Sequence, residues 1–133
     1  DRVISKFLIS AMAGGTLQVN GATEKLDFTY VDDAADGIIA ATFSEHVGTY
    51  NLTKSHSCTL EAAANLAVKL AGKGSVSMHE KDDDFPSRGA LNIDAARKDF
   101  GFDPKVDIDE GFQIYYDWLT NSSYWAVNKA QVA

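Results

Sequence analysis

Tyr50 and Lys54 stand four apart in Tyr50-Asn51-Leu52-Thr53-Lys54. That is the spacing of the Tyr-x-x-x-Lys pair of hydride-transferring enzymes, where a nearby ammonium lowers the tyrosine pKa for proton transfer. The chemistry needs both side chains on one helical face. Residues 48–52 read instead as a short β-prone run leading into a polar turn, so the pair is chance spacing. Gly72-Lys73-Gly74 looks like the opening of a dinucleotide-binding loop. It follows a helical pattern instead of a strand, and Ser77 stands where the third glycine belongs, so it reads as a helix stop. His46, His56, Cys58 and His79 are the available soft ligands, and no set of them has a zinc spacing. No Gly-x-Ser-x-Gly elbow marks a serine hydrolase. Asp82, Asp83 and Asp84 could hold a hard cation, but a charge run in a loop is more simply solvated.

What remains are cations. Lys6, Lys25, Lys81 and Arg88 lie at a helix start, in a turn and in a loop. If loop cations converge they clamp a phosphate, and Arg88 is chemically the best of them because a guanidinium makes a two-pronged contact. If they do not, each is a surface charge that keeps the chain soluble. The residues taken alone show no complete catalytic constellation.

The elements that must carry these groups follow from periodicity. Val3, Ile4, Phe7, Leu8, Ala11 and Met12 recur at three- and four-residue steps and predict a helix over 3–13, stopped by Gly14-Gly15. A strand is expected over 16–19, a turn over 20–25 and a second strand over 27–31. Asp32 is the expected N-cap of an alanine-rich helix to about residue 44. A strand over 48–52 and a polar turn follow. Thr59 then caps a helix with the stripe Leu60, Ala63, Leu66, Ala67 and Leu70, ended by Gly72. A weak strand over 75–79 and a charged loop over 81–88 come next. Asn92 is the expected cap of a short helix to about Phe100, with Gly101 as its stop. Asp107 and Glu110 form a capping-box pattern ahead of a helix whose apolar side is Phe112, Ile114, Tyr115, Trp118 and Leu119.

The 133 residues carry 12 basic and 19 acidic side chains, a net charge of −7, and 45% are hydrophobic. Such a chain buries roughly two-thirds of its unfolded surface, which excludes wholesale disorder. Its acidity speaks against a nucleic-acid or anionic-membrane surface, because no segment supplies a basic stripe. One cysteine cannot form an intrachain disulfide, and no apolar run approaches the roughly 18 residues that span a bilayer. A soluble, cytoplasmic protein is the expectation. The start at Asp1, without Met, reads as a cut end. Without linkers or repeats, one compact unit is the economical organisation. The class is α/β, or α+β if the strands pair antiparallel.

The order of segments resembles the C-terminal half of the extended short-chain dehydrogenases/reductases, the NAD-dependent epimerases and dehydratases that act on nucleotide sugars. Leu26-Asp27-Phe28-Thr29-Tyr30-Val31-Asp32-Asp33-Ala34-Ala35 is similar to that family's Arg-Asp-Phe-x-Tyr-Val-Asp-Asp-x-Ala signature. Arg2 to Leu8 is similar to the helix that opens the substrate lobe, Leu17-Gln18-Val19-Asn20-Gly21 to a Leu-x-Val-Tyr-Gly strand, and Tyr50-Asn51-Leu52 to a Tyr-Asn-Ile/Leu strand. Ala95 to Lys105 resembles a Ser-Lys-Ala…Leu-Gly-Trp/Tyr-x-Pro-Lys segment.

The resemblance implies a substrate-binding lobe over 1–119, with short strands and about five helices, followed by a tail over 120–133. It implies that the Rossmann half, with the NAD site and the catalytic Tyr and Lys, is not in this chain. No catalytic, cofactor-binding or metal-binding residue is then expected here, and NAD is expected only on the N-terminal half. The matching positions imply substrate contacts from Val3, Lys6 and Phe7 near the nucleotide, and from Val19 and Asn20 near the base. Asn20 departs from the usual aromatic, so it can hydrogen-bond a base edge but not stack on it. Leu26 stands in place of the diphosphate-binding Arg, which leaves neighbouring Lys25 as the replacement. Arg88, in Pro86-Ser87-Arg88-Gly89, matches a second phosphate-binding Arg, with Lys81 next to it in rank. The implied partner is a nucleotide sugar, not nucleic acid or membrane, with self-association through surfaces that the Rossmann half normally covers. The alternative is a non-catalytic nucleotide-sugar-binding or oligomerisation module.

Overall fold

The computed structural model describes residues 2–81 and 87–128, with side chains through residue 125. In chain order the elements are α1 (Val3–Met12), β1 (Thr16–Asn20), β2 (Lys25–Asp27), α2 (Val31–Thr42), β3 (Ser57–Thr59), α3 (Leu60–Ala71), β4 (Ser75–His79), α4 (Asp94–Phe100), α5 (Ile108–Asn121) and α6 (Ser123–Asn128). This is an α/β chain with six helices among the described residues, α6 lying where periodicity had faded. It divides into two compact units. Each is sewn from separate stretches of sequence, which is why no linker marks them: 1–24, 59–86 and 109–133 form the first, 25–58 and 87–108 the second.

In the first unit, β1 and β4 pair in parallel with Thr16 opposite Ser75 and Asn20 opposite His79. A parallel pair needs a long crossover, and its last leg is α3, which packs against α1, β1 and β4. The β1 pattern is alternating, with Leu17 and Val19 buried and Thr16, Gln18 and Asn20 exposed. Leu17 and Val19 join Phe7, Leu8, Ile9, Ala11 and Met12 of α1, and Ala63, Ala64 and Ala67 of α3, as the buried apolar set. The three alanines let α3 lie close to its neighbours. A fully buried leucine such as Leu8 contributes about 2 kcal/mol. Of the predicted apolar side of α5, Phe112 and Leu119 are buried, whereas Ile114 and Trp118 are 37% and 49% exposed. Trp118 stacks instead on Tyr115, with ring centroids 5.7 Å apart.

In the second unit, β2 pairs with β3, and α2 packs against α4. Ile93, Ala96 and Phe102 form its core, with Tyr50, Leu52 and Phe100 packed around them.

The predicted ends are met at Thr59, whose Oγ1 accepts from the Ala62 N–H at 3.1 Å, and at Gly72 and Gly101, both left-handed at φ 65° and 71°. Three expectations are corrected. The strand expected over 27–31 lies earlier, at Lys25–Asp27, and residues 28–30 run irregularly into α2, whose N-cap is Tyr30, not Asp32. Residues 48–52 are not a strand. They are held through side chains: the Tyr50 hydroxyl donates to Asp99 Oδ2 at 2.8 Å, and Asn51 Nδ2 donates to the Asn92 carbonyl at 2.9 Å. A β-prone composition reports a fit to a pleated, half-buried surface, and without a neighbouring strand it leaves the chain irregular. At α4 the N-cap is Ile93, while Asn92 Oδ1 accepts from the Asp94 N–H at 2.7 Å.

Candidate functional site

In the parallel register both ribbon strands finish at the same edge, with Asn20 beside His79. The Gly21 N–H continues the pairing to the His79 carbonyl at 3.0 Å. The chain then turns back, the Glu24 N–H donating to the Gly21 carbonyl at 2.9 Å. This turn also satisfies the start of α3, where the first backbone donors have no helical partner. The Leu60 N–H donates to the Glu24 carbonyl at 2.9 Å and the Glu61 N–H to the Ala22 carbonyl at 3.0 Å, with Thr59 taking the next. The turn is thereby pinned to a strand end and a helix start.

Across it, Glu24 Oε1 lies 3.4 Å from Lys81 Nζ, the two side chains 23% and 30% exposed. Gly21 makes room for the pair. At φ +73° it sits where an L-residue is strained, and a Cβ there would lie 2.8 Å from Glu24 Cγ and 3.3 Å from Lys81 Cβ. On the polar face of the ribbon, His79 Nε2 hydrogen-bonds both the Ser77 hydroxyl, at 3.2 Å, and Gln18 Oε1.

The structure therefore brings Val19, Asn20 and Lys81 to one end of the β1–β4 ribbon. Asn20 is exposed there, and Val19, 1% exposed, serves the core beneath it. Val3, Lys6 and Phe7 lie along α1. Val3 is half-buried at its first turn, Lys6 is exposed, and Phe7, 6% exposed, belongs to the core. Lys25 and Arg88 are exposed residues of the second unit, and Leu26 is half-buried on β2. Asp82, Asp83, Asp84 and Pro86 lie outside the described residues. Sequence reasoning missed Glu24, Gly21 and His79 as parts of this edge. The only signal was a glycine at the end of a β pattern, since the Glu24–Lys81 contact joins residues far apart in the chain.

Tyr50 and Lys54 are not a side-by-side pair. They sit on irregular chain, and each is engaged elsewhere. The Tyr50 hydroxyl is committed to Asp99, and that hydrogen bond, with burial and the Asp99 charge adding to it, raises the Tyr50 pKa above 10.0. A proton-transfer tyrosine needs the opposite shift. Lys54 Nζ donates to the Pro104 and Lys105 carbonyls, each at 3.1 Å, and lies 3.0 Å from Asp107 Oδ1. Asp33 holds the same segment from α2, its carboxylate accepting the Lys105 N–H at 3.0 Å and the Val106 N–H at 2.9 Å. Gly72 is the left-handed end of α3, not a strand-to-helix turn. No group of three or more His, Cys, Asp or Glu gathers as a metal site among the described residues.

No protein-family model matches the chain. It is 31% identical over 119 residues to UDP-glucuronic acid decarboxylase 1 of Xenopus tropicalis, an alignment covering 86% of this chain and 28% of that protein. Its fold matches that of the epimerase Mth375 from Methanothermobacter thermautotrophicus with a TM-score of 0.89 at 24% identity, over 98% of this chain and 40% of that one. It also matches a UDP-glucuronic acid 4-epimerase from Bacillus cereus, solved in complex with UDP-glucuronic acid and NAD, with a TM-score of 0.81 at 21% identity, over 90% of this chain and 40% of that one. The fold is that of the C-terminal portion of an extended short-chain dehydrogenase/reductase. Its homologues are UDP-glucuronic acid decarboxylases, and its structural neighbours are epimerases and dehydratases. It spans about a third of the length of the curated relatives it matches, 28% and 34% for two of them.

Proposed function

We propose that this chain is the nucleotide-sugar-binding portion of an NAD-dependent epimerase/dehydratase-type enzyme, inactive alone, with a UDP-sugar, and UDP-glucuronic acid first among them, as substrate. The observation that carries this reading is the 31% identity to a UDP-glucuronic acid decarboxylase across 119 residues, the signature over 26–35 among them. Within the second unit, Arg88 grips the diphosphate, with Lys25 standing in for the Arg replaced by Leu26. Holding the diphosphate tether fixes where the sugar carbon lies relative to a hydride acceptor.

NAD, which would take up and return hydride, is assigned to residues outside this chain. The described residues do not fit it: the one Gly-x-Gly ends a helix, and the one Tyr-x-x-x-Lys is neither helical nor available. Isothermal titration of the chain with UDP, UDP-glucuronic acid and NAD tests the reading. Binding of both uridine nucleotides, weakened tenfold or more by Arg88→Ala, with no response to NAD and no turnover, is expected. Failure of both uridine nucleotides to bind would overturn it.

Self-association belongs to the same proposal. It is supported by the outward face of α2 and the loop after it, where Val31, Ile38, Ile39, Phe43 and Val47 are 55% to 100% exposed. This face also favours the oligomerisation-module reading if nucleotide binding fails.

A further inference from the structure

We propose that Asp27, acting with Ser55 through the backbone of Leu91, is a positioning residue that ties the segment carrying Arg88 to the strand carrying Lys25, and so sets the separation of the two cations assigned to the diphosphate. The inference rests on the nucleotide reading above and concerns the second unit alone, where all four residues lie.

Residues 87–92 form neither helix nor strand, so their backbone groups need partners elsewhere. Side chains supply them. Asp27 Oδ2 accepts the Leu91 N–H at 3.0 Å, and the Ser55 hydroxyl donates to the Leu91 carbonyl at 2.8 Å. Both polar backbone groups of one residue are thereby fixed, from two stretches of chain. Asn51 Nδ2 adds a bond to the next carbonyl, that of Asn92, at 2.9 Å. The Leu91 side chain is 47% exposed, so the anchoring falls on its backbone more than on packing.

The anchors are held against local cost. Ser55 is the one described residue other than glycine at positive φ, 59°, a conformation disfavoured for any side chain. Asp27 Oδ1 is buried with no hydrogen-bond partner among the described residues, which a role in stability alone does not explain. Strain and orphaned polar atoms persist where the surroundings impose them, and they gather at functional sites. Placement indicates which function. Leu91 is three residues from Arg88, so fixing it confines the Arg88 backbone to at most about 11 Å away. Asp27 is two residues from Lys25 on β2, and such residues share a face of a strand. A clamp made of two cations works only at a set spacing, and a supporting bond lost at a distance loosens it.

The test is a double-mutant cycle, read as UDP affinity by isothermal titration of the chain. Asp27→Ala should weaken binding about tenfold in the wild type but about twofold or less in the Arg88→Ala background, because residues acting as one unit do not add. Asp27→Asn keeps an acceptor for the Leu91 N–H and should restore affinity to within about twofold. Ser55→Ala frees the other side of Leu91 and should show the same dependence on Arg88, which gives the reading should Asp27→Ala not fold. An Asp27 that served stability only would weaken binding by one factor in both backgrounds, and that result overturns the inference. Full affinity in both alanine variants, or an Asp27→Asn as weak as Asp27→Ala, also overturns it while leaving nucleotide binding standing. UDP binding indifferent to Arg88→Ala removes the Arg88 assignment and this inference with it. No binding of UDP by the wild type overturns the nucleotide reading and the inference together.

Discussion

Asp33 shows how one side chain can organise a segment far away in sequence. Its carboxylate, 8% exposed, accepts two backbone N–H groups of the stretch before α5, while Lys54 gathers two carbonyls of the same stretch. Each side chain satisfies groups that a loop would otherwise leave to water. Asp33→Ala strands two donors and should cost about 2 kcal/mol or more, read as a lowered urea midpoint, and Asp33→Asn, which keeps one acceptor, should cost less. Tyr50 gives a pH signature. Its pKa is raised, so the neutral phenol is favoured in the folded chain. Its contribution to stability is fully present below the unfolded value near 10 and is lost as pH rises through the higher folded value. Absorbance titration should show a tyrosine step above the ordinary value near 10, and Tyr50→Phe should abolish it. Asp103 works in the opposite sense, its pKa lowered by its hydrogen bond from Lys105, so its contribution is lost only as pH falls below the ordinary carboxylate range.

At the scale of elements, α2 shows packing overriding helix propensity. Gly37 lies mid-helix, where alanine would gain up to about 1 kcal/mol. A Cβ there would lie 2.7 Å from Phe102 Cε2 and 3.1 Å from Leu52 Cδ2, so the glycine lets the helix approach the core of its unit. Gly37→Ala should therefore lower the thermal midpoint, by the equivalent of about 1–3 kcal/mol of overpacking less the propensity gain. A raised midpoint would show that Phe102 moves aside. Thr59→Ala removes the α3 cap bond and should cost about 1 kcal/mol, measured by the same melts. Its consequence reaches the candidate site, because the start of α3 also holds the 21–24 turn.

For the molecule as a whole, net charge and exposed apolar surface oppose each other. The chain carries −7, which repels copies at low salt, yet α2 and its following loop expose five large apolar side chains. Exposed apolar surface concentrated in this way marks an interaction face. Light scattering on a sizing column should show oligomers that grow with protein concentration and with salt, which screens the charge. The double substitution Ile38→Glu with Phe43→Glu should restore the monomer without changing UDP affinity. A wild type monomeric at all salt concentrations would remove the self-association part of the proposal.

The sequence by itself determined what is local. Three- and four-residue periodicity and caps located every helix but α6, Gly72 and Gly101 marked left-handed ends, Thr59 a cap and alternation the β1 strand, because each is decided within a turn or two of chain. The family signature over 26–35 was legible as well, although the role of Asp33 within it was not. Tertiary structure alone decided the rest. Whether a β-prone run such as 48–52 finds a strand to pair with, which residue caps α2, and that Glu24 meets Lys81 over Gly21 all depend on which distant segments arrive at the same place. Local propensities of a fraction of a kcal/mol yield there to hydrogen bonds and packing worth several times as much.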